Sequence, residues 1–195
     1  MKKIFGIAAL TAMMFAGTAC SSAQKSNEDS ASAKTADADS KVLVAYYSAT
    51  GNTEKAAERV ADATGGTLYR IEPVEPYTDE DLDYENKDSR SSKENADRSI
   101  RPEIKKGLDI AGYETVYLGF PVWWDKAPLV VNTFLDSYDF SGKKIIVFGT
   151  AHSSGLTPSY DTLKADFPQY NFEEGGILNV QGAKTFNEWL EGLKK

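Results

Sequence analysis

Cysteine is almost absent: the 195 residues contain one, Cys20. A disulfide within the chain is therefore impossible, and a thiolate metal site or iron–sulfur cluster in the folded part is excluded. Histidine is equally scarce, with His152 alone, so any Ser–His–Asp arrangement would have to use that residue. Basic residues are outnumbered 22 to 29, giving a formal net charge of −7. The first 40 residues balance, with Lys2, Lys3, Lys25 and Lys34 against Glu28, Asp29, Asp37 and Asp39, so the excess belongs to residues 41–195. A surface of that sign does not serve nucleic acid, whose phosphates require a basic face. It reads as a solvated acidic surface, with a basic protein partner as the other reading. Two phosphate signatures are missing as well: there is no Gly-x-x-x-x-Gly-Lys loop and no Gly-x-Gly-x-x-Gly turn. No internal repeat occurs.

What is present divides into three parts. Residues 1–19 have the make-up of an export signal. Lys2 and Lys3 precede the apolar run "IFGIAALTAMMFAG", too short to span a bilayer, and Gly17 and Ala19 stand at the −3 and −1 positions before Cys20. Cys20 with Ser21 and Ser22 resembles the lipid-modified cysteine of bacterial lipoproteins, although Gly17 stands where that pattern usually has Leu. The expectation is an exported bacterial protein, tethered to a membrane only through a lipid anchor and facing the periplasm or cell surface. Ordinary secretion with Cys20 incidental is the other reading. Residues 20–40 include "SSAQKSNEDSASAKTADADS", which has no large apolar group to offset the entropy of ordering and reads as a flexible tether. Residues 41–195 have the length and composition of one domain.

Within that domain, strand-like and helix-like stretches alternate five times. "VLVAYYS" is a short apolar run, as expected of a strand buried on both faces. "NTEKAAERVADAT" puts Ala56, Ala57, Val60 and Ala61 on one helical stripe, and Gly65–Gly66 stops it. "TLYRIEP" is a second strand ending at Pro73. A long charged excursion follows, read as a functional or mobile loop with an irregular helix near Pro102–Leu108. "TVYLGFPV" is a third strand. "PLVVNTFLDSY" is a helix with Pro128 in its first turn. "KKIIVFGTA" is a fourth strand, and "TPSYDTLKADF" a helix with Thr157 as its cap. "GGILNVQG" is a fifth strand. "AKTFNEWLEGLKK" is a terminal helix with Phe186, Leu190 and Leu193 inward. This alternation predicts an α/β fold, a doubly wound five-stranded parallel sheet with helices on both faces. In such sheets the ligand lies beyond the carboxyl ends of the strands, where strand order reverses.

Three loops at those ends carry chemistry. After the first strand, "SATGNT" gathers Ser48, Thr50, Gly51, Asn52 and Thr53 with no cation before Lys55. A loop entering a helix presents unpaired N–H groups, the helix dipole favours an anion, and glycine lets the backbone close around it. Hydroxyl and amide side chains add neutral donors, so the loop is suited to a phosphate. A simple helix cap would use Asn52 or Thr53 alone. After the third strand, "GFPVWWDKAP" sets Trp123 and Trp124 side by side. Indoles stack well on planar rings, although two tryptophans can also be plain packing. After the fourth strand, "GTAHSSG" offers His152, Ser153 and Ser154 to polar ring edges, with small residues permitting close approach.

"YYSATGNT", "LGFPVWWDKAP" and "FGTAHSSG" together resemble the flavodoxin-like family, in its bacterial branch with a Trp–Trp pair after the third strand. The resemblance covers residues 41–195 and implies the strand order 2-1-3-4-5 and flavin mononucleotide (FMN) as cofactor. Carried over by position, Ser48, Thr50, Gly51, Asn52 and Thr53 would hold the phosphate. Pro121, Val122, Trp123 and Trp124 would flank the flavin ring, with Trp124 stacking on it. Ala151, His152, Ser153, Ser154 and Gly155 would line its other side and edge. Classical members commonly place a tyrosine in that last loop, where this chain has His152. The implied function is flavodoxin-like electron transfer to a redox partner protein or a small quinone-like acceptor. An FMN-dependent NAD(P)H:quinone-type reductase and an exported non-enzymatic binding protein are the alternatives. No nicotinamide motif is present, which favours the carrier.

Overall fold

The computed structural model describes residues 40–179 and 183–193. The export signal, Cys20 and the tether lie outside the described residues, as do the side chains of Phe186 and Leu193. Five strands form one sheet: β1 (Val42–Tyr46), β2 (Thr67–Arg70), β3 (Thr115–Pro121), β4 (Lys144–Thr150) and β5 (Asn171–Ile177). Every pair is parallel, and the order is β2-β1-β3-β4-β5, as expected. The order reverses between β1 and β3, so the crevice beyond their carboxyl ends is the natural ligand position.

The interior strands are apolar because both faces are covered. On one face Val44, Tyr46, Tyr117, Ile146 and Phe148 meet Ala56, Ala57 and Val60 of α1 (Asn52–Thr64), with Trp189 and Leu190 of the terminal helix against them. On the other, Leu43, Ala45, Val116, Leu118 and Phe120 pack with a helix at Leu129–Ser137, from which Val130, Val131, Phe134 and Leu135 point inward. Gly119 of β3 is required by this packing. It is the register partner of Phe148, and a Cβ there would lie 2.3 Å from the Phe148 ring. Only glycine lets that ring cross the strand.

Three local expectations are corrected. The excursion between β2 and β3 holds its helix, α2, at Arg90–Ala96 rather than at Pro102–Leu108. Ser89 caps α2 by accepting from the Ser92 N–H. Ile104 is instead extended and buried, bridged antiparallel to Pro73, with Val74 N–H bonded to Glu103 O (2.8 Å) and Lys105 N–H to Glu72 O (2.8 Å). Thr157 does not cap the helix it begins at Thr157–Asp166; its hydroxyl donates to Glu174 Oε1 at 2.6 Å. The fifth strand begins at Asn171, four residues before "GGILNVQG", and ends at Ile177. It is an edge strand. Asn171, Glu173 and Glu174 are exposed and only Phe172 is buried, so it lacks the apolar run that marks a strand covered on both faces.

Candidate functional site

The loop after β1 is held from below and behind. Ser48 is buried, and its Oγ accepts the Gly51 N–H at 3.0 Å, which folds the loop back on itself. Gly51 then turns the chain into α1 at φ 83°, a left-handed conformation that glycine adopts without penalty, and no atom lies within 4 Å of where its Cβ would be. The first turn of α1 is tied to the sheet twice. Tyr46 donates to Glu54 Oε1 at 2.8 Å, and Arg70 pairs with the same oxygen at 3.3 Å. Burial, then the Glu54 carboxylate, pushes the Tyr46 phenol above the ordinary tyrosine range, so Tyr46 remains a neutral donor.

No side chain caps α1. Asn52 Nδ2 donates to Thr50 Oγ1 at 3.2 Å, and Thr53 Oγ1 lies 2.7 Å from Thr150 Oγ1 in a buried pair. The loop's hydroxyl and amide groups are therefore not consumed in closing the helix, and the first-turn N–H groups retain their affinity for an anion.

Next to this helix start opens a cleft of about 560 Å³, within the range of small-molecule sites. Thr50, Asn52 and Thr53 line it from the first loop, Pro121, Val122 and Trp123 from the end of β3, and Ala151 and His152 from the end of β4. Lys55, Thr150 and Asn179 complete the wall. None of these three stood among the candidates from sequence. Thr150 lies within the quoted motif "GTAHSSG", and Lys55 stands two residues beyond "SATGNT". Asn179 holds its place by accepting the Ala151 N–H at 3.0 Å, a contact that links the end of β5 to the loop after β4. Ser48 and Gly51 brace the cleft rather than line it, and Ser153, Ser154 and Gly155 lie beyond its lining.

The two tryptophans separate. Trp123 and Lys126 exchange backbone hydrogen bonds, 3.0 and 2.9 Å, around Trp124 and Asp125. Both central residues are left-handed, at φ 47° and 58°, so this is a type I′ turn made without glycine. Left-handed backbone costs a non-glycine residue about 1–2 kcal/mol, and such strain persists only where the surroundings enforce it. Trp124 is displayed at the tip, 38% exposed and outside the cleft lining. Trp123 turns inward, edge-on to Tyr47 (centroids 5.8 Å, 89°) and to Tyr77 (5.5 Å, 71°), and forms part of the cleft wall.

Comparison with known proteins agrees with this geometry. Residues 41–193 match the family described as Flavodoxin. A flavodoxin of Maridesulfovibrio salexigens is 30% identical over 126 residues, 58% of this chain, and the chain spans 65% of that relative's length. A provisionally assigned flavoprotein of Bacteroides uniformis is 44% identical, with a TM-score of 0.74 over 77% of this chain and 97% of its own. A flavoprotein of Lactobacillus acidophilus, solved in complex with FMN, is 20% identical, with a TM-score of 0.59 over 75% of this chain and 97% of its own, and shares the fold. With the parallel sheet in the order 2-1-3-4-5 and the family match over almost the whole described domain, this chain belongs to the flavodoxin family.

Proposed function

We propose that the domain binds FMN and works as a flavodoxin-like electron carrier. The observation that carries this reading is the uncapped start of α1, opening onto a cleft walled by Trp123. A phosphate fits the first part: Gly51 leaves open space, Thr50 and Asn52 face the cleft, and Lys55 adds a positive charge one turn on. A planar ring fits the second, between Trp123 and the loop of Ala151 and His152. The FMN complex of the Lactobacillus acidophilus protein on the same fold supports the same cofactor.

When bound, the flavin supplies the redox chemistry, and this chain supplies position and electrostatics. Thr50, Asn52 and the first-turn amides of α1 bind and orient the phosphate. Trp123 and Val122 exclude water from one side. The chain's net charge of −7 opposes further negative charge in the cleft, which lowers the potential of whatever is reduced there. The acceptor is a redox partner protein or a small quinone-like molecule under this proposal. Trp124, exposed at the turn tip beside the cleft, is placed to meet either.

Titration of the purified protein with FMN and with riboflavin, followed by absorption and fluorescence, tests the reading. FMN is expected to bind and riboflavin to bind far more weakly. Equal affinities would overturn the phosphate assignment, and no binding of either would overturn the cofactor.

The setting is a second part of the proposal, supported by the leader sequence and the small residues before Cys20. The domain stands outside the inner membrane on a tether of about 20 residues. One acyl chain anchors only marginally, so stable attachment requires multiple acylation at Cys20. Cys20→Ser is expected to move the protein from the membrane to the soluble fraction; unchanged fractionation would count against it.

A further inference from the structure

The excursion from Pro73 to Glu103 carries one helix and an ion pair with a buried carboxylate, both placed behind the cleft rather than in it. Glu94 of α2 is buried, with its side chain 6% exposed, and each of its oxygens has a fixed partner. Oε2 accepts the Tyr77 hydroxyl at 2.6 Å, and Oε1 accepts Arg90 Nε at 2.9 Å. Arg90 also lies over the Tyr77 ring, 4.0 Å from its centroid, and donates to Glu75 O at 2.8 Å. Tyr77 is thus gripped at its hydroxyl and on one face. Its ring in turn meets Trp123 (5.5 Å) and Tyr47 (5.9 Å). Two more bonds run from the same excursion to the same turn. Lys126 Nζ donates to Asn95 Oδ1 at 3.4 Å, and Arg98 donates to Ala127 O at 3.0 Å.

These contacts converge on the segment Trp123–Ala127, whose left-handed residues require outside support. A buried charged pair is weak evidence for stability as such, because desolvation offsets its attraction. Its usual value is in fixing one arrangement of the groups it touches, and here those groups end at the cleft wall. We propose that Tyr77 and Glu94, with Arg90, are positioning residues that fix the Trp123 indole against the flavin ring. The excursion is then a buttress for the ring side of the site. This rests on the FMN reading above.

The test compares Tyr77→Phe, which keeps the ring and removes only the hydroxyl, and Glu94→Gln, which keeps the shape and removes the charge. Full-length protein labelled with 5-fluorotryptophan gives one fluorine resonance each for Trp123, Trp124 and Trp189, assigned by Trp→Phe replacements. In cofactor-free protein both variants are expected to shift or broaden the Trp123 resonance and leave Trp189 unmoved. On loading, affinity for FMN and for riboflavin should fall by the same factor, roughly three- to tenfold, because the loss is on the ring side. The ratio of the two affinities should remain that of the unaltered protein, while the midpoint potential of the bound flavin shifts. A variant that only loosens the fold would move Trp189 as well. Should Glu94→Gln fail to fold, Tyr77→Phe alone decides. An unmoved Trp123 resonance, or a moved resonance with unchanged flavin affinity and potential, would overturn the inference. Failure of the unaltered protein to bind FMN would overturn the cofactor reading and this one with it, whereas binding by the unaltered protein with unaffected variants overturns this inference alone.

Discussion

The loop at Ser48–Thr53 and the turn at Trp123–Lys126 face the same cleft, but they are held in shape by different means. The first is local. Its tight bend is made by Ser48 and Gly51, three residues apart, its left-handed residue is a glycine, and its deepest contact, Thr53 to Thr150, joins neighbouring parts of the sheet's carboxyl edge. The second is remote. Its left-handed residues are Trp124 and Asp125, and its supports come from Tyr77, Asn95 and Arg98, 46, 31 and 29 positions away from Trp123, Lys126 and Ala127. A backbone shape encoded in a few adjacent residues is difficult to alter from a distance. One imposed by tertiary contact can be tuned there, without touching the residues that meet the ligand.

The strongest way to break the comparison is at the phosphate end. Replacing Thr50 with Ala removes a cleft-facing hydroxyl from the anion site, worth roughly 1.5–3 kcal/mol when bonded to a charged group, so FMN affinity should fall at least tenfold. Riboflavin affinity should change little, and an equal loss for both would mean the loop acts on the ring. Trp123→Ala should have the next largest effect, a loss of about 2–3 kcal/mol of stability by chemical denaturation, since a half-buried indole leaves a gap between Tyr47 and Tyr77. A loss below 1 kcal/mol would show the three-ring cluster to be loosely packed. Gly51→Ala meets open space but enforces a left-handed alanine, so about 1 kcal/mol should be lost, together with some FMN affinity. The smallest effect has the opposite sign. Trp124→Gly relieves strain at the turn, offset in part by glycine's greater freedom when unfolded, and should raise stability by about 0.5 kcal/mol in chemical denaturation. A loss of stability there would mean that the exposed indole packs better than its position suggests.

The same contrast explains what could be read in the sequence. Helix α1 spans the residues its apolar stripe and glycine stop predict, and the loop before it was legible because its bend, Ser48 to Gly51, is encoded within the motif itself. The sheet order followed from the resemblance of three motifs. Which of Trp123 and Trp124 walls the cleft was not legible, because it depends on a hairpin-type turn that lacks the Asn-Gly or Asp-Gly signature of its class. Asn179 escapes the sequence pattern because β5 has only one fully buried residue, Phe172, and its apolar signal falls late, at "GGILNVQG". Helix α2 was missed because its stabilising contacts, Tyr77 and Arg90 to Glu94, form only in the folded chain; its seven residues, Arg90–Ala96, contain no apolar stripe.

The polar character of β5 has a consequence for crowding. The outer strand of any sheet offers unpaired backbone groups onto which another strand can add, the first step toward fibres. Here that margin bears Glu173 and Glu174, with Lys144 of β4 paired to Glu173 at 2.8 Å. Two copies approaching edge to edge would bring carboxylates together before any backbone bond could form. A chain concentrated on a surface, as lipid attachment would concentrate it, meets its own kind far more often than one free in solution, and an acidic margin keeps those encounters from becoming aggregates.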